Sequence, residues 1–408
     1  MTPPRGLGNK TTVLTFLALL VLASALVPFA HAQPAVVATV KVGANPYGVA
    51  YDSGKGEVFV TNANGNTTSV ISDSTNAVVA TVRVGDRAEG VVYDSAKGEV
   101  FVADTGSDMV SVISDGNDKV VANVTVGKSP YRVAYDPAMG EIFVANSGSK
   151  SVSVISDSNN EVIANVTVGN SPNSVAYDPA KGEVFVANGG SNFVSVISDS
   201  TNAVVASVSV GSTTFGLAYD SARGEVFVGN SDADKVYVIS DNTNAVVANI
   251  TIPIGIVPRD FAYDPAKGEV FVAGGVSSAI PVISDRSNTV VANVIVETEP
   301  SGVVYDPAKG EVFVADTGSN AVSVISDSAS ASTTSASSTT ATPPISATSQ
   351  GSTATQTSSS SSTSSVPVFP YQLVIAAAFT ALLAASYLLV RRRTAPRGSV
   401  GRGAPPSS

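Results

Sequence analysis

The chain has no cysteine and no tryptophan, and its one histidine is His31. Without cysteine there is no disulfide, no thiolate nucleophile and no thiolate metal site. His31 falls in a segment expected to be cleaved, so the mature protein is expected to carry no imidazole. That excludes Ser-His-Asp and Cys-His catalysis, zinc of the usual kind, and haem held by His or Cys. A cofactor dehydrogenase built on such residues is equally unsupported. Oxygen-ligand metals and carboxylate chemistry stay open. Charged residues are scarce, at 14% against 44% hydrophobic. Positive charge is scarcest of all in the middle of the chain. Residues 33–327 hold all 33 acidic residues but 16 of the 23 basic ones, a net of −17. Such a surface repels nucleic acid. Helical periodicity is also missing, since no usable window of 33–327 places apolar residues at a 3.6 spacing.

What is present is a repeat. Tyr-Asp recurs at Tyr51, Tyr93, Tyr135, Tyr177, Tyr219, Tyr263 and Tyr305, at spacings of 42, 42, 42, 42, 44 and 42. The clearest copy, Tyr177 to Asn188, reads YDPAKGEVFVAN. Each repeat holds four short strands. The first ends in Tyr-Asp, as in Gly48–Asp52. A turn such as Asp178-Pro179-Ala180-Lys181-Gly182 follows, because Pro presets φ and Gly accepts a positive φ. The second strand is Glu-Val-Phe-Val. A polar loop (Asn146 to Ser149 in repeat three) leads to a third strand such as Val152–Asp157. The fourth reads Val-Val-Ala-x-Val-x-Val-Gly. Val, Ile and Phe at these positions favour half-buried extended backbone. A period near 42 made only of strands predicts propeller blades.

The seventh repeat stops after three strands, and a strand without a repeat, Val36–Val42, precedes the first. AVVATVKVG there matches AVVATVRVG at Ala77–Gly85. The expectation is an all-β, seven-bladed β-propeller over residues 33–327, closed by its N-terminal strand. Closure hides edges that would template aggregation. The blades resemble the YVTN-repeat β-propeller proteins of prokaryotic cell surfaces. The matching residues are Phe59-Val60-Thr61-Asn62, Phe143-Val144-Ala145-Asn146 and Phe185-Val186-Ala187-Asn188, each leading to a third strand. Phe replaces the first Tyr, Ala usually replaces the Thr, and Ala273-Gly274-Gly275-Val276 is the poorest copy. The resemblance implies a seven-bladed propeller and export, and no single activity.

The ends suggest where the propeller sits. Residues 1–32 read as a signal peptide, with Arg5 and Lys10 before an apolar run and Ala30-His31-Ala32 as the cleavage signature. Residues 328–370 form a Ser/Thr-rich stalk that cannot bury a core and is expected to be disordered. Tyr371 to Val390 is apolar and uncharged, about 30 Å as a helix, enough to span a membrane. The basic tail 391–408 opens with Arg391-Arg392-Arg393, which places it in the cytoplasm and the propeller outside. Val366 to Pro370 also resembles a prokaryotic sorting signal, with Val368 where Glu is usual, so removal of this tail is an alternative.

Repetition separates structure from function without an alignment. The Asp after each Tyr is expected to accept turn hydrogen bonds, and the Glu after each turn Gly to face solvent or pair with the turn Lys. The position four residues before each Tyr-Asp varies: Tyr47, Glu89, Tyr131, Asn173, Phe215, Arg259 and Ser301. The next reads Gly48, Gly90, Arg132, Ser174, Gly216, Asp260 and Gly302. Both fall where the chain enters the innermost strand, at the mouth of the central channel. Tyr47, Glu89, Tyr131, Arg132, Asn173, Phe215, Arg259 and Asp260 are therefore the candidate ligand-binding set. Such side chains suit a sugar, a peptide or a small polar ligand. Asp115-Gly116-Asn117-Asp118 has calcium-like oxygen density, but the other blades carry ordinary turns there. The sequons at Asn66, Asn123, Asn165 and Asn249 are glycosylation candidates.

No catalytic residue, metal or cofactor is assigned. The leading expectation is an extracellular binding or adhesion module, membrane-held through its C-terminal helix, with a protein, peptide or glycan partner. A hydrolase or lyase using carboxylates and calcium is a second reading, although the mouth offers only Glu89, Asp260 and, beside them, Asp86 and Glu299. A structural envelope protein that packs with its own copies is the third.

Overall fold

The computed structural model describes residues 33–327. The signal peptide, stalk, transmembrane helix and basic tail expected from the sequence lie outside the described residues. Within them the chain forms 28 strands in seven four-stranded sheets. Blade 1 consists of β2 (Pro46–Asp52), β3 (Glu57–Asn62), β4 (Thr67–Ser72) and β5 (Ala77–Arg83), paired in that order. Blades 2 to 6 repeat the pattern. Blade 7 joins β26 (Pro300–Asp306), β27 (Glu311–Asp316) and β28 (Ala321–Ser326) to β1 (Ala35–Lys41). β1 runs antiparallel to β28, with Val40 opposite Val322 and Lys41 opposite Ala321. The two ends of the array are thus sewn into one sheet, as expected.

The repeated residues explain the hairpins. Asp52 Oδ1 accepts hydrogen bonds from the N–H groups of Gly54 at 2.7 Å and Lys55 at 3.1 Å. Gly56 then takes φ +68°, and a Cβ there would meet an Asp73 carboxylate oxygen at 2.7 Å. Glycine is needed on both counts. Asn fills the left-handed position of the third-to-fourth-strand turn instead, as at Asn76 and Asn202, where its short amide tolerates that conformation.

The core lies between blades. Phe59, Phe101, Phe143, Phe185, Phe227, Phe271 and Phe313, one on each second strand, are fully buried. Phe185 packs with Val226 and Val228 of the next blade. Phe313 packs in the same way with Val58 and Val60 of blade 1, joined by Val40 of β1. The closing interface therefore uses the same contacts as an internal one.

Polar contacts clasp neighbouring blades as well. Within blade 2 the Tyr93 hydroxyl donates to Asp115 Oδ2 at 3.2 Å, and Asp52 of blade 1 lies against it from the other side. Burial, with Asp52 of the preceding blade and Asp115 beside it, holds its pKa above the usual tyrosine range. The turn lysines correct one expectation. Lys55, Lys97, Lys267 and Lys309 do not pair with the adjacent Glu. Each donates to the backbone carbonyl of the Asp that follows the third strand of the next blade: Asp115, Asp157, Asp327 and Asp73. The four-carbon stem is long enough to cross the gap between blades. Arg223 and Glu225, at 3.0 Å, make the pair that was expected. The glutamates are half-buried or buried rather than solvent-facing, and burial raises the pKa of Glu57 and Glu141.

Candidate ligand site at the channel mouth

Backbone irregularity sets up the site. The first strand carries a register shift where the variable residues sit, between Pro46 and Val49 in blade 1 and between Pro130 and Arg132 in blade 3. A bulge re-aims side chains and leaves a residue outside the ladder. The residue before each bulge is left-handed, with φ of 59° at Asn45, 55° at Arg87 and 57° at Glu299.

Five members of the variable ring, Tyr47, Glu89, Tyr131, Phe215 and Arg259, line one cavity of about 620 Å³. Asn45, Asn64, Arg87 and Thr317 complete its wall. These residues come from blades on all sides of the axis, which places the cavity over the channel. The Tyr47 and Tyr131 hydroxyls are hydrogen-bonded to each other. Their rings meet edge to face, with centroids 5.9 Å apart and planes at 72°. Burial, then the neighbouring Tyr47, pushes the Tyr131 pKa above its ordinary value.

Arg132 and Asp260 sit one residue further along their strands. The Arg132 guanidinium lies 5.3 Å from the centroid of the Tyr47 ring, a cation–π distance. Its Nη2 is 3.5 Å from Asp260 Oδ2. This pair links blade 3 to blade 6, and the Tyr47 ring brings in blade 1. Asp260 also accepts the Val303 N–H at 3.2 Å. Burial raises the pKa of Asp260, and the Arg132 charge pulls against that rise. Arg132 is 7% exposed. Removing Asp260 would strand its charge, at a cost of about 3–5 kcal/mol.

Glu89 is 2% exposed. It accepts from Arg87 Nε at 2.7 Å and Thr105 Oγ1 at 3.0 Å. Arg259 differs. Its N–H donates to the Ala273 carbonyl at 2.9 Å, but its guanidinium has no partner among the described residues.

The other ring positions are structural. Asn173 donates through Nδ2 to the Thr214 carbonyl at 2.8 Å and does not line the cavity. The buried Ser301 hydroxyl faces the carbonyls of Pro46 at 3.3 Å and Tyr47 at 3.1 Å. At the following position, a Cβ on Gly48 would sit 2.2 Å from the Glu89 carbonyl oxygen, and one on Gly302 would sit 2.1 Å from that of Tyr47. Glycine there admits the neighbouring blade. Asp86 and Glu299 are exposed loop residues outside the cavity wall.

Arg87 and Asn45 were absent from the expected set. The same comparison between blades, made two residues earlier, finds them: Asn45, Arg87, Ser129, Ser171, Thr213, Val257 and Glu299 vary as freely as the ring. Asn64 and Thr317 come from second-to-third-strand loops, which the ring comparison did not reach.

The remaining candidates lie elsewhere. Asn123, Asn165 and Asn249 are exposed on the outer, fourth strands. Asn66 is half-buried in a turn, and its Oδ1 accepts the Arg87 N–H at 3.0 Å. Asp115 to Asp118 forms a turn in which the Asp115 carboxylate receives the Tyr93 hydroxyl.

No family model and no curated protein matches the chain. Among solved structures it is similar to a chain of the Kuenenia stuttgartiensis hydrazine synthase, with a TM-score of 0.64 at 18% identity over 69% of this chain and 95% of that one. At that identity the likeness concerns the propeller fold alone.

Proposed function

We propose that this chain is an exported binding module of the YVTN-repeat kind, held at the cell surface, whose ligand sits at the channel mouth. The ligand would be a protein segment, peptide or glycan outside the cell. One observation carries the reading. Residues common to all blades build hairpins and blade contacts, whereas five residues from the position that varies around the ring converge on one polar and aromatic cavity. A ring that served only as scaffold would have no need to vary there. A catalytic role is less well supported, because Glu89, the one carboxylate lining the cavity among the described residues, is buried and already holds Arg87 and Thr105.

The test is capture of surface glycans and proteins by the purified full-length chain. A variant with Tyr47, Tyr131, Phe215 and Arg259 changed to Ala runs beside it. Capture by the native chain and loss by the variant supports the reading. Equal capture moves the contact to the rim.

A second reading has its own support. Val37, Val79, Val121, Ile163, Val205, Val247 and Val291, one on each outer strand, are exposed. An apolar belt on edge strands suits lateral packing of copies in an envelope. Concentration-dependent association in sedimentation, abolished by Lys at these positions, would favour it.

A further inference from the structure

The cavity carries a charge that the rest of the propeller does not. The domain is strongly acidic and has six arginines, yet three of them, Arg87, Arg132 and Arg259, gather at the mouth. Two are already matched, Arg87 by Glu89 and Arg132 by Asp260. Among the described residues, Arg259 lines the cavity without a side-chain partner. One unmatched guanidinium suits a ligand that presents it with one monoanionic group, such as a carboxylate. A dianionic phosphate would meet one free cation and the nearby Glu89, so it fits poorly.

The surroundings narrow the class further. Phe215 enters from the blade next to Arg259. The Gly216 N–H bonds the Pro258 carbonyl at 3.1 Å, and a Cβ on Gly216 would touch the Arg259 carbonyl carbon at 2.7 Å. Phe215 and Arg259 therefore reach the cavity wall from adjacent blades. Opposite them are the amides of Asn45 and Asn64, whose side chains hold no hydrogen bond among the described residues. A carboxylate matches a guanidinium fork with two parallel hydrogen bonds. An aromatic face packs against the C–H face of a sugar ring, and amides both donate to and accept from hydroxyls. A volume of about 620 Å³ lies within the usual range for small-ligand sites.

We infer that the mouth binds an acidic sugar, a uronate whose carboxylate rests on Arg259 while its ring lies against Phe215 and its hydroxyls meet Asn45 and Asn64. This inference rests on the channel-mouth reading and names its ligand class.

Calorimetric titration of the full-length chain tests it with three probes: digalacturonate, its dimethyl ester and trialanine. The ester keeps the sugar and removes the charge. Digalacturonate should bind, and the ester should bind about tenfold or more weakly, the value of a charged hydrogen bond. Arg259→Gln should weaken digalacturonate by a similar factor and leave the ester unchanged. Arg259→Lys should recover part of the loss. An unchanged melting temperature shows that these variants fold. Equal binding of acid and ester, or digalacturonate binding indifferent to Arg259→Gln, overturns the inference. If ester binding is then lost in Phe215→Ala, the mouth remains a binding site for neutral sugars. Tighter binding of trialanine through Arg259 would mean a peptide carboxylate and overturns the sugar assignment. If no probe binds, the inference fails, and the capture experiment decides separately whether the mouth is a site at all.

Discussion

Replacing Asp104 and Asp316 with Asn should stabilise the ring by an amount that grows as pH rises above about 4 and is complete near neutral pH. These residues end the second strands of blades 2 and 7. Blades 1, 3, 4 and 5 have Asn62, Asn146, Asn188 and Asn230 at the same place. The amide geometry shows why. Asn146 Nδ2 donates to Ser153 Oγ at 2.9 Å, which frees that hydroxyl to donate to Asn165 Oδ1 at 2.7 Å. In blade 2 the Ser111 hydroxyl faces Asp104 Oδ2 at 2.6 Å and Asn123 Oδ1 at 3.1 Å. One proton cannot serve both acceptors. A proton on Asp104 resolves the conflict by making the carboxyl a donor, as the amide is. Burial, against the hydrogen bonds from Ser111, pushes Asp104 from an ordinary 3.8 up to about 6. The same causes, with Ser323, push Asp316 from 3.8 up to about 7. Each pKa unit is worth about 1.4 kcal/mol. Ionisation therefore costs the folded state about 3 kcal/mol at Asp104 and about 4 kcal/mol at Asp316.

The sign follows from proton binding. Both folded pKa values lie above the unfolded ones, so the native state binds these protons more tightly. Their contribution is complete below 3.8 and is lost as pH rises to about 6 for Asp104 and about 7 for Asp316. Asn never ionises. At pH 8 the double variant should melt roughly 5 °C or more above the native chain. At pH 4 the difference should shrink toward zero. Thermal unfolding followed by circular dichroism at both pH values measures this. Because other raised carboxyls, such as Glu57 and Asp178, titrate in both proteins, the difference between variant and native is the quantity to read. A difference that is absent at pH 8, or equal at both pH values, refutes the reasoning.

Two further predictions concern the joints. Deleting Ala35–Lys41 should lower the melting temperature of the whole ring in one transition, because β28 side chains that are now fully buried, Val322 and Val324 among them, would line a bare edge; an unchanged melting temperature would refute closure by β1. Met139 stands, 52% exposed, where four other blades place the lysine that clasps the next blade. Met139→Lys should bond the Asp199 carbonyl and raise stability by about 0.5 kcal/mol, in the range of a surface pair; denaturant titration would show a higher midpoint at constant slope, and an unchanged or lower midpoint counts against the clasp.

The fold was legible because repetition averages out local ambiguity. A single Glu-Val-Phe-Val is a weak strand signal, but seven at a fixed period, with a turn before each, allow one reading. The closing strand was legible for the same reason, since Val36–Val42 had a copy to be matched against. The site was legible only in part. Comparing blades found Tyr47, Tyr131, Phe215 and Arg259, yet also picked Asn173, whose amide is spent on the Thr214 carbonyl. Variation marks freedom from the repeat and does not say which way a side chain turns. The inter-blade reach of the lysines was hidden because partners such as Lys55 and Asp115, 60 residues apart, are brought together by the ring alone.

Blade 6 shows how one local departure can make a site. Two irregularities stood apart in the sequence, a spacing of 44 before Tyr263 and the degenerate Ala273-Gly274-Gly275-Val276. In the structure they are one feature. The extra residues before the first strand run against those glycines: a Cβ on Gly274 would lie 1.7 Å from the Val257 carbonyl oxygen, and one on Gly275 would lie 2.6 Å from that of Gly255. Any larger residue would push the loop away. With φ of 149° and 89°, the two positions also demand glycine on backbone grounds. Its first and second strands pair regularly from Asp260 opposite Ala273, without the register shift that this ladder shows in the other blades. Arg259 and Asp260 sit at this junction. The unmatched cation of the cavity and the carboxylate that neutralises Arg132 thus depend on the same pair of glycines, and the blade that matches the repeat least supplies both.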